Sequence, residues 1–368
     1  MQKSFQDLIE EVHSKGICQE CGGCVSFCSS ADYNVIGFID SNNPPQYINK
    51  DKCLECGICY CICPQTHFLH GELDESFKVD DIHSNPLGHY EGIYSCQTND
   101  DDFLRAGTDG GVVNTIIDYL INEKMIDAAI VSKSEMPFLR QATIAYNKED
   151  LIKCSGTTLD ITPQLEEIQK FCTYTYSLPE LNHYKFKKLA VVGTPCQVYT
   201  MRCMENLGVK PSENIAICLG LFCYENFLFD KYQAAKFEKD FNIPFERIKK
   251  INIKENVLFK ISENDKEKTI KLPFNYLNDY MRSACNACSD FSNIYADISF
   301  GGLGSAEKFT TVLTRTQKGV DILKRVIDAG KIRSLDLSEG EILKMKKLII
   351  QFSLSKLKRY NNLIKKIM

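Results

Sequence analysis

The chain holds 368 residues with a formal net charge of −4, 44% of them hydrophobic and 25% charged. That length suggests two or three domains with ample core, and the composition is that of a globular chain. The mild acidity argues against nucleic-acid binding, which favours strongly basic domains. No run of about 18 apolar residues offers a transmembrane helix.

The N-terminal stretch MQKSFQDLIEEVHSKG is polar and lacks the apolar core of a signal peptide, so a cytoplasmic location with reduced thiols is expected. Cysteine is the component out of proportion, at 18 residues. In a reducing compartment that points to metal or cluster ligation or redox chemistry rather than to a disulfide framework.

The first 64 residues carry two runs, Cys18-x2-Cys21-x2-Cys24-x3-Cys28 and Cys53-x2-Cys56-x2-Cys59-x3-Cys63-Pro64. This is the bacterial ferredoxin spacing, in which three thiolates hold one 4Fe-4S cluster and the fourth crosses to the other. One cluster is thereby assigned Cys18, Cys21, Cys24 and Cys63, and the second Cys53, Cys56, Cys59 and Cys28. Gly22, Gly23 and Gly57 relieve crowding where the backbone turns. Ser29 stands where proline usually follows the first run, and Cys61 reads as a surplus non-ligand. Zinc is the competing reading, needing four ligands per ion.

Residues 65–90 are polar and acidic with little periodicity and read as a linker or an ordered surface excursion. Their histidines, His67, His70, His83 and His89, have no spacing suited to a metal and suit solvated or capping roles. A larger domain begins near residue 91. Gly107-Thr-Asp-Gly110-Gly111 precedes a helical pattern through Val112, Ile116, Tyr119 and Leu120, then the apolar run Ala128–Val131. Such a turn suits an anionic or planar ligand, and equally a plain tight turn. The fingerprint G-x-G-x-x-G is absent, so a nicotinamide-binding Rossmann domain is not supported.

Further strand-to-loop units are Leu189–Val192 with Gly193-Thr-Pro-Cys196-Gln197, Ile215–Cys223, and Cys285-Asn-Ala-Cys288 leading to Gly301-Gly302-Leu-Gly304-Ser305. Cysteines just past buried strands converge at a sheet rim, and the alternation implies an α/β or α+β core. Residues 331–368 hold ten Lys/Arg against three Asp/Glu, about +7, in an amphipathic helical pattern. A solvated helical face and docking onto an acidic partner or a membrane surface are both open to it.

The blocks GTDGGVVNTIIDYLINEKMIDAAIV, VVGTPCQVYTMR, CLGLFCYENF and CNACSDFSNIYADISFGGLGS, in this order over residues 91–310, resemble the coenzyme F420 hydrogenase/dehydrogenase beta subunit family. With the cluster runs in front, the arrangement is most similar to the ferredoxin-fused F420H2 dehydrogenase subunits of that family. The resemblance implies an α+β chain: a two-4Fe-4S ferredoxin-like module over 1–70, a linker over 71–90, a larger mixed α/β flavin-binding core over 91–330 and a basic helical tail over 331–368.

It implies FAD in the core, coenzyme F420 as substrate and a third 4Fe-4S cluster. That cluster would take Cys196, Cys223, Cys285 and Cys288, with Cys203 and Cys218 in reserve. FAD would lie along Gly107, Thr108, Asp109, Gly110 and Gly111, along Thr194, and along Gly301, Gly302, Gly304 and Ser305. The glycine-rich ISFGGLGS departs from many relatives and leaves those last contacts less fixed. Arg105, Lys133, Arg202 and Arg282 are unranked candidates for pairing with the anionic tail of F420. Cys96, Cys154 and Cys172 match no motif and read as buried apolar thiols.

The implied activity is oxidation of reduced F420 by hydride transfer to FAD, with single electrons leaving through the clusters or running in reverse from ferredoxin. The implied partner is a redox protein or larger complex, such as a membrane-bound dehydrogenase, a hydrogenase or ferredoxin, attached to a membrane at most peripherally. No nucleophile–base pair or carboxylate dyad stands out. Two other readings stay open: the same cofactors acting on a different substrate, and an electron-transfer adaptor with no flavin.

Overall fold

The apolar run Leu189–Gly193 is buried along its whole length, as a strand must be where both faces of a parallel sheet are covered. The computed structural model describes residues 3–30, 34–39, 43–136, 139–157, 165, 188–227, 231–253, 255–263 and 266–367. Its strands, in chain order, are β1 (Ile36–Gly37), β2 (Gln46–Tyr47), β3 (Gly92–Thr98), β4 (Ala128–Met136), β5 (Leu139–Ala145), β6 (Leu189–Gly193), β7 (Ile215–Leu221), β8 (Ile248–Ile253), β9 (Asn256–Glu263), β10 (Lys266–Pro273), β11 (Ile298–Gly301), β12 (Thr310–Thr314) and β13 (Ile332–Ser334).

Eight of them form one mixed sheet in the order β13-β3-β12-β11-β7-β6-β4-β5. Its centre, β11, β7, β6 and β4, is parallel. The outer strands join by antiparallel pairings. Parallel neighbours need a crossover, and the helix Pro195–Asn206 supplies the one between β6 and β7.

Strand alternation sends the apolar residues to two cores. Ala129, Val131, Ala190, Val192, Ile217 and Leu219 meet residues of the helices Val112–Asn122 and Gln317–Asp328 on one face. Ala128, Ile130, Leu189, Val191 and Cys218 meet Val198, Tyr199, Met201 and Cys203 of the Pro195–Asn206 helix on the other.

That second face also receives Cys21, Phe27, Ile62, Leu69 and Leu73. The N-terminal region is therefore seated on the sheet through the Pro195–Asn206 helix. It has a small core of its own, in which Phe5, Leu8, Val12, Val25, Val35, Ile36 and Tyr60 pack around Cys28 and Cys59. Its first helix, Phe5–Leu8, starts with a capping box of Ser4 and Asp7.

Residues 71–90, which look linker-like in sequence, contain most of the helix His70–Ser76. Phe77, Val79 and Ile82 pack against the sheet's second face, and Leu87 lies under the C-terminal helix. The basic tail is also engaged with the chain. Glu339–Ile367 is a 29-residue helix, and Met345, Ile349, Ser353, Lys356 and Leu357 form a buried stripe along it. Strands β8–β10 make a separate antiparallel sheet over a core that includes Phe227, Phe237, Val257, Phe259 and Tyr280. Among the described residues no helix is long and apolar enough to cross a membrane.

Arg202 does not face a ligand. It is buried, 2.9 Å from Asp297 and 2.6 Å from Glu205, donates to Tyr295 O, and lies 5.0 Å over the Phe77 ring. Burial, the largest influence, would raise the Asp297 carboxyl, but Arg202, the Cys218 N–H, Lys318 and Thr316 together hold it below the ordinary range. Arg202→Met should lower stability by about 3 kcal/mol, because it strands a buried carboxylate; a lowered unfolding temperature is the measurement. Adding Asp297→Asn should recover part of the loss. The contribution of the pair is present above about pH 4 and fades as pH falls toward the depressed folded value.

Candidate functional site: three thiol groups and a cleft

The two N-terminal cysteine runs fold alike. Glu20 and Glu55, each just before the second cysteine of its run, both take φ of +52°. Gly22 and Gly57, each just after it, take +87° and +76°. Left-handed residues at these positions turn backbone amides toward the sulfurs. N–H groups of Glu20, Gly23, Val35, Ile36, Gln65 and Thr66 bond to the thiols of Cys18, Cys21, Cys28 and Cys63.

The electrostatics sort the eight thiols into two sets. Burial, then the thiolates of Cys21, Cys18, Cys59 and Cys63, drives Cys24 well above the ordinary range. Burial and Cys63 do the same to Cys18, and burial pushes Cys63 up to about 12. Cys28 is raised by burial and, among charges, by Cys53 and Cys56. Cys59 is raised by burial and by Cys56, Cys28 and Cys53. Cys28 thus lies near Cys53 and Cys56 of the second run and Cys63 near Cys21 of the first, while Cys59 is felt by Cys24 and Cys63 as well.

A third set lies at the ends of the central strands. Cys196 is in the first turn of the helix after β6, and Cys223 follows β7. Cys285 and Cys288 lie at the short helical turn Ser283–Ala287. Burial raises Cys196 well above its ordinary value, followed by Cys288, Cys21 and Cys223. Burial pushes Cys223 up to about 12, with Cys285 and Cys288 adding to it. Asn226 serves two of these sulfurs: its backbone N–H donates to Cys285 Sγ and its Nδ2 to Cys223 Sγ, each at 3.3 Å.

Cys203 and Cys218 lie apart from this set, beside Tyr199 and beside Arg202. Cys96 is fully buried on β3, within the sheet, and Cys154 lines the cleft described below. Cys172 lies outside the described residues.

None of the seventeen described cysteines is in a disulfide. Among the described residues no three His, Cys, Asp or Glu converge on a single ion position. Thiols close enough to repel one another and supplied with N–H donors fit a thiolate-bound inorganic cluster.

Two cations at the third set carry no signature in the sequence. Lys356 is 1% exposed and donates to Cys223 O and Asp290 O, both at 2.6 Å. Burial works against its charge, but the thiolates of Cys288 and Cys223, Asp290 and Cys285 outweigh it and leave it raised. Arg359 pairs with buried Glu225, donates to Tyr224 O and Cys285 O, and lies over the Tyr224 ring. The overall basic pattern of the tail hides both.

The cleft sits beyond the carboxyl ends of β4, β6, β7 and β11, where α/β sheets bind ligands. Its volume is about 280 Å³. Gly107, Thr108, Asp109, Gly111, Thr194, Gly301 and Gly302 line it. Gly110, Gly304 and Ser305 do not: Gly110 packs on Cys96 O and Thr310, Gly304 on Met345, and Ser305 bonds Ser95 and Thr311. The helix Val112–Asn122 enters the cleft wall with no side-chain cap, its first residue preceded by Gly111 at φ +69°. Its first-turn N–H groups suit an anion. Phe222, Tyr224, Phe274, Phe300 and Phe352 form an aromatic wall, and Cys223 belongs to both the cleft and the third thiol set.

Residues 93–169 match the family model for the N-terminal part of the coenzyme F420 hydrogenase/dehydrogenase beta subunit, and residues 186–339 match the model for its C-terminal part. The chain belongs to this family. It is 27% identical over 257 residues to the beta subunit of the coenzyme F420 hydrogenase of Methanothermobacter thermautotrophicus, covering 69% of this chain and 87% of that one. It is 25% identical over 358 residues to the F subunit of the F(420)H(2) dehydrogenase of Methanosarcina mazei, covering 92% of each. In fold it matches a chain of the F420-reducing [NiFe] hydrogenase complex from Methanosarcina barkeri, with a TM-score of 0.66 at 24% identity over 78% of this chain and 94% of that chain. The family is one of F420-linked oxidoreductases.

The other cations expected to meet F420 are placed elsewhere. Arg105 pairs with Asp102 on its own helix, Arg282 is buried 2.5 Å from Glu20, and Lys133 is half-buried on β4. Lys250 of β8 reaches the glycine loop instead, donating to Gly107 O and Arg105 O. Burial, then Lys260 and Lys308, lower its pKa. Lys250→Met should speed amide exchange across residues 105–111 by about tenfold, roughly the ~1.5 kcal/mol of one charge-assisted hydrogen bond. Unchanged protection would deny that this contact holds the loop.

Proposed function

We propose that the protein oxidises reduced coenzyme F420 in this cleft and passes single electrons through three 4Fe-4S clusters to a redox partner, or the reverse. The observation that carries this reading is the position of Cys223, which lines the cleft and also belongs to the third set of four thiols. Cys196 of that set reaches the first N-terminal set, because Thr200 Oγ1 lies 3.5 Å from Cys21 Sγ and donates to Cys196 O. Family membership makes a deazaflavin the natural substrate class.

Bound FAD would accept a hydride and release its electrons singly, which clusters require. The residues would do the rest. First-turn amides of the Val112–Asn122 helix would hold the diphosphate, and the aromatic wall would hold the ring system beside Cys223. Thr194 and the glycines at 107, 301 and 302 leave room for close approach. Lys250, Lys260 and Lys308 place positive charge near the glycine loop for the anionic tail of F420. Electrons would leave at the Cys53–Cys59 end, where Cys56 is exposed and Leu54 is 65% exposed.

Anaerobically purified chain should carry about twelve irons, four per cluster, and one FAD. Reduced F420 should regain its fluorescence on oxidation when an artificial acceptor is present. Fully loaded protein that gives no turnover would reject F420 as substrate, while clusters without flavin would favour the adaptor. Cys285→Ser should remove about four irons and stop reduction of the acceptor. Twelve remaining irons would refute the third ligand set.

A further inference from the structure

Outside the cleft, the group that the function leaves unused is Lys356. It is the only lysine that is buried among the described residues, and it lies beyond the segments that match the family. Its burial is costly, since an ammonium in the interior needs countercharge and not merely dipoles. Its two hydrogen bonds go to the neutral carbonyls of Cys223 and Asp290.

The nearby anions are the thiolates of Cys223, Cys285 and Cys288 and the Asp290 carboxylate. Asp290 is already satisfied by the N–H groups of Asn293 at 2.8 Å and Ile294 at 2.9 Å. The other cations facing this region are committed. Arg359 pairs with Glu225, Arg282 with Glu20, and Arg315 holds Leu87 O, His89 O and Ser292. Arg282 and Arg359 act on Cys285 and Cys223 too, but each is paired with a glutamate, whereas Lys356 is the cation whose hydrogen bonds go to no carboxylate.

We propose that Lys356 holds up the reduction potential of the third cluster, so that the C-terminal helix sets the energy at which electrons leave the cleft. The inference rests on the three-cluster reading. Uptake of an electron from the cleft side breaks no bond and moves no proton, and it adds one negative charge to the thiol-bound group. A fixed ammonium nearby favours that more negative form, and more strongly in a dry interior than in water.

The test is a redox titration of the anaerobically purified full chain with a chemical reductant, following cluster signals by electron paramagnetic resonance. In Lys356→Met one of the three midpoints should move to a more negative potential and the other two should stay. Lys356→Arg, which keeps the charge, should restore it. Three unchanged midpoints in Lys356→Met would overturn the proposal, as would an equal shift in Lys356→Arg, which would trace the effect to packing. If Lys356→Met loses a cluster's worth of iron, Lys356→Gln, neutral but still a donor to both carbonyls, carries the test by the same criteria. Wild-type iron near eight rather than twelve (four per cluster) would overturn the three-cluster reading and the proposal together. Iron near twelve with unmoved midpoints overturns the proposal alone, and failure of F420 to react touches neither outcome.

Discussion

A Cβ on Gly23 would lie 2.2 Å from Thr200 Cγ2. The helices Gly23–Ser30 and Pro195–Asn206 therefore meet at a separation that only glycine permits. Much of the molecule is indexed to that contact. The Pro195–Asn206 helix covers one face of the central sheet, carries Cys196 in its first turn, and offers Thr200 to Cys21. Two residues further along, Arg202 pins Asp297 and the Tyr295 carbonyl, which lead into β11. The thiol set at the cleft and the first set of the N-terminal region are thus held by one rigid element, and a larger residue at 23 would push both away from each other.

The second constraint is charge. Thiolates close enough to share an inorganic core repel one another, and burial disfavours each of them further. The chain answers with oriented N–H groups in the N-terminal sets and with Asn226 and Lys356 in the third. Arginine–glutamate pairs flank that third set: Arg282–Glu20 seats the N-terminal loop, and Arg359–Glu225 seats the C-terminal helix. These pairs carry no net charge and so act as fasteners. Gln19, whose Nε2 donates to Ala284 O at 2.6 Å, and Ser283, whose hydroxyl donates to Gly16 O at 2.8 Å, add to the first seam.

The gathering of cysteines was legible because a thiol every third residue is a local pattern, and the two runs do fold alike around left-handed residues. The buried strands were legible for a similar reason, since runs such as Leu189–Val192 are apolar on both faces. Lys356 was not legible, because its place on the buried stripe depends on what the helix packs against. Its sequence neighbours Lys358 and Arg359 make the segment look like a solvated face. The three-stranded sheet was missed because β10 alternates with little burial, leaving a charged pattern that resembles a loop. Arg202 and Arg282 looked available because sequence does not reveal that Asp297 and Glu20 stand opposite them. The apolar residues of 77–87 are too irregularly spaced to show which core they join.

Cleft and third thiol set are built from the same strand ends, and this bears on how water is kept from between them. From β6, Val192 and Thr194 line the cleft while Cys196 faces the third thiol set; from β7, Leu221 and Phe222 line it and Cys223 does both. The step from cleft wall to thiol set takes two residues in one case and none in the other. No solvent layer can stand between two sites that share Cys223. The outer side is closed by elements the core sheet does not supply: Ile253 and Phe274 from the small sheet and its following turn, and Phe352 from the C-terminal helix. Phe352 stands one helical turn before Lys356. One helix therefore both walls the cleft and brings the buried ammonium to the thiols, so a displacement of that helix would alter both at once.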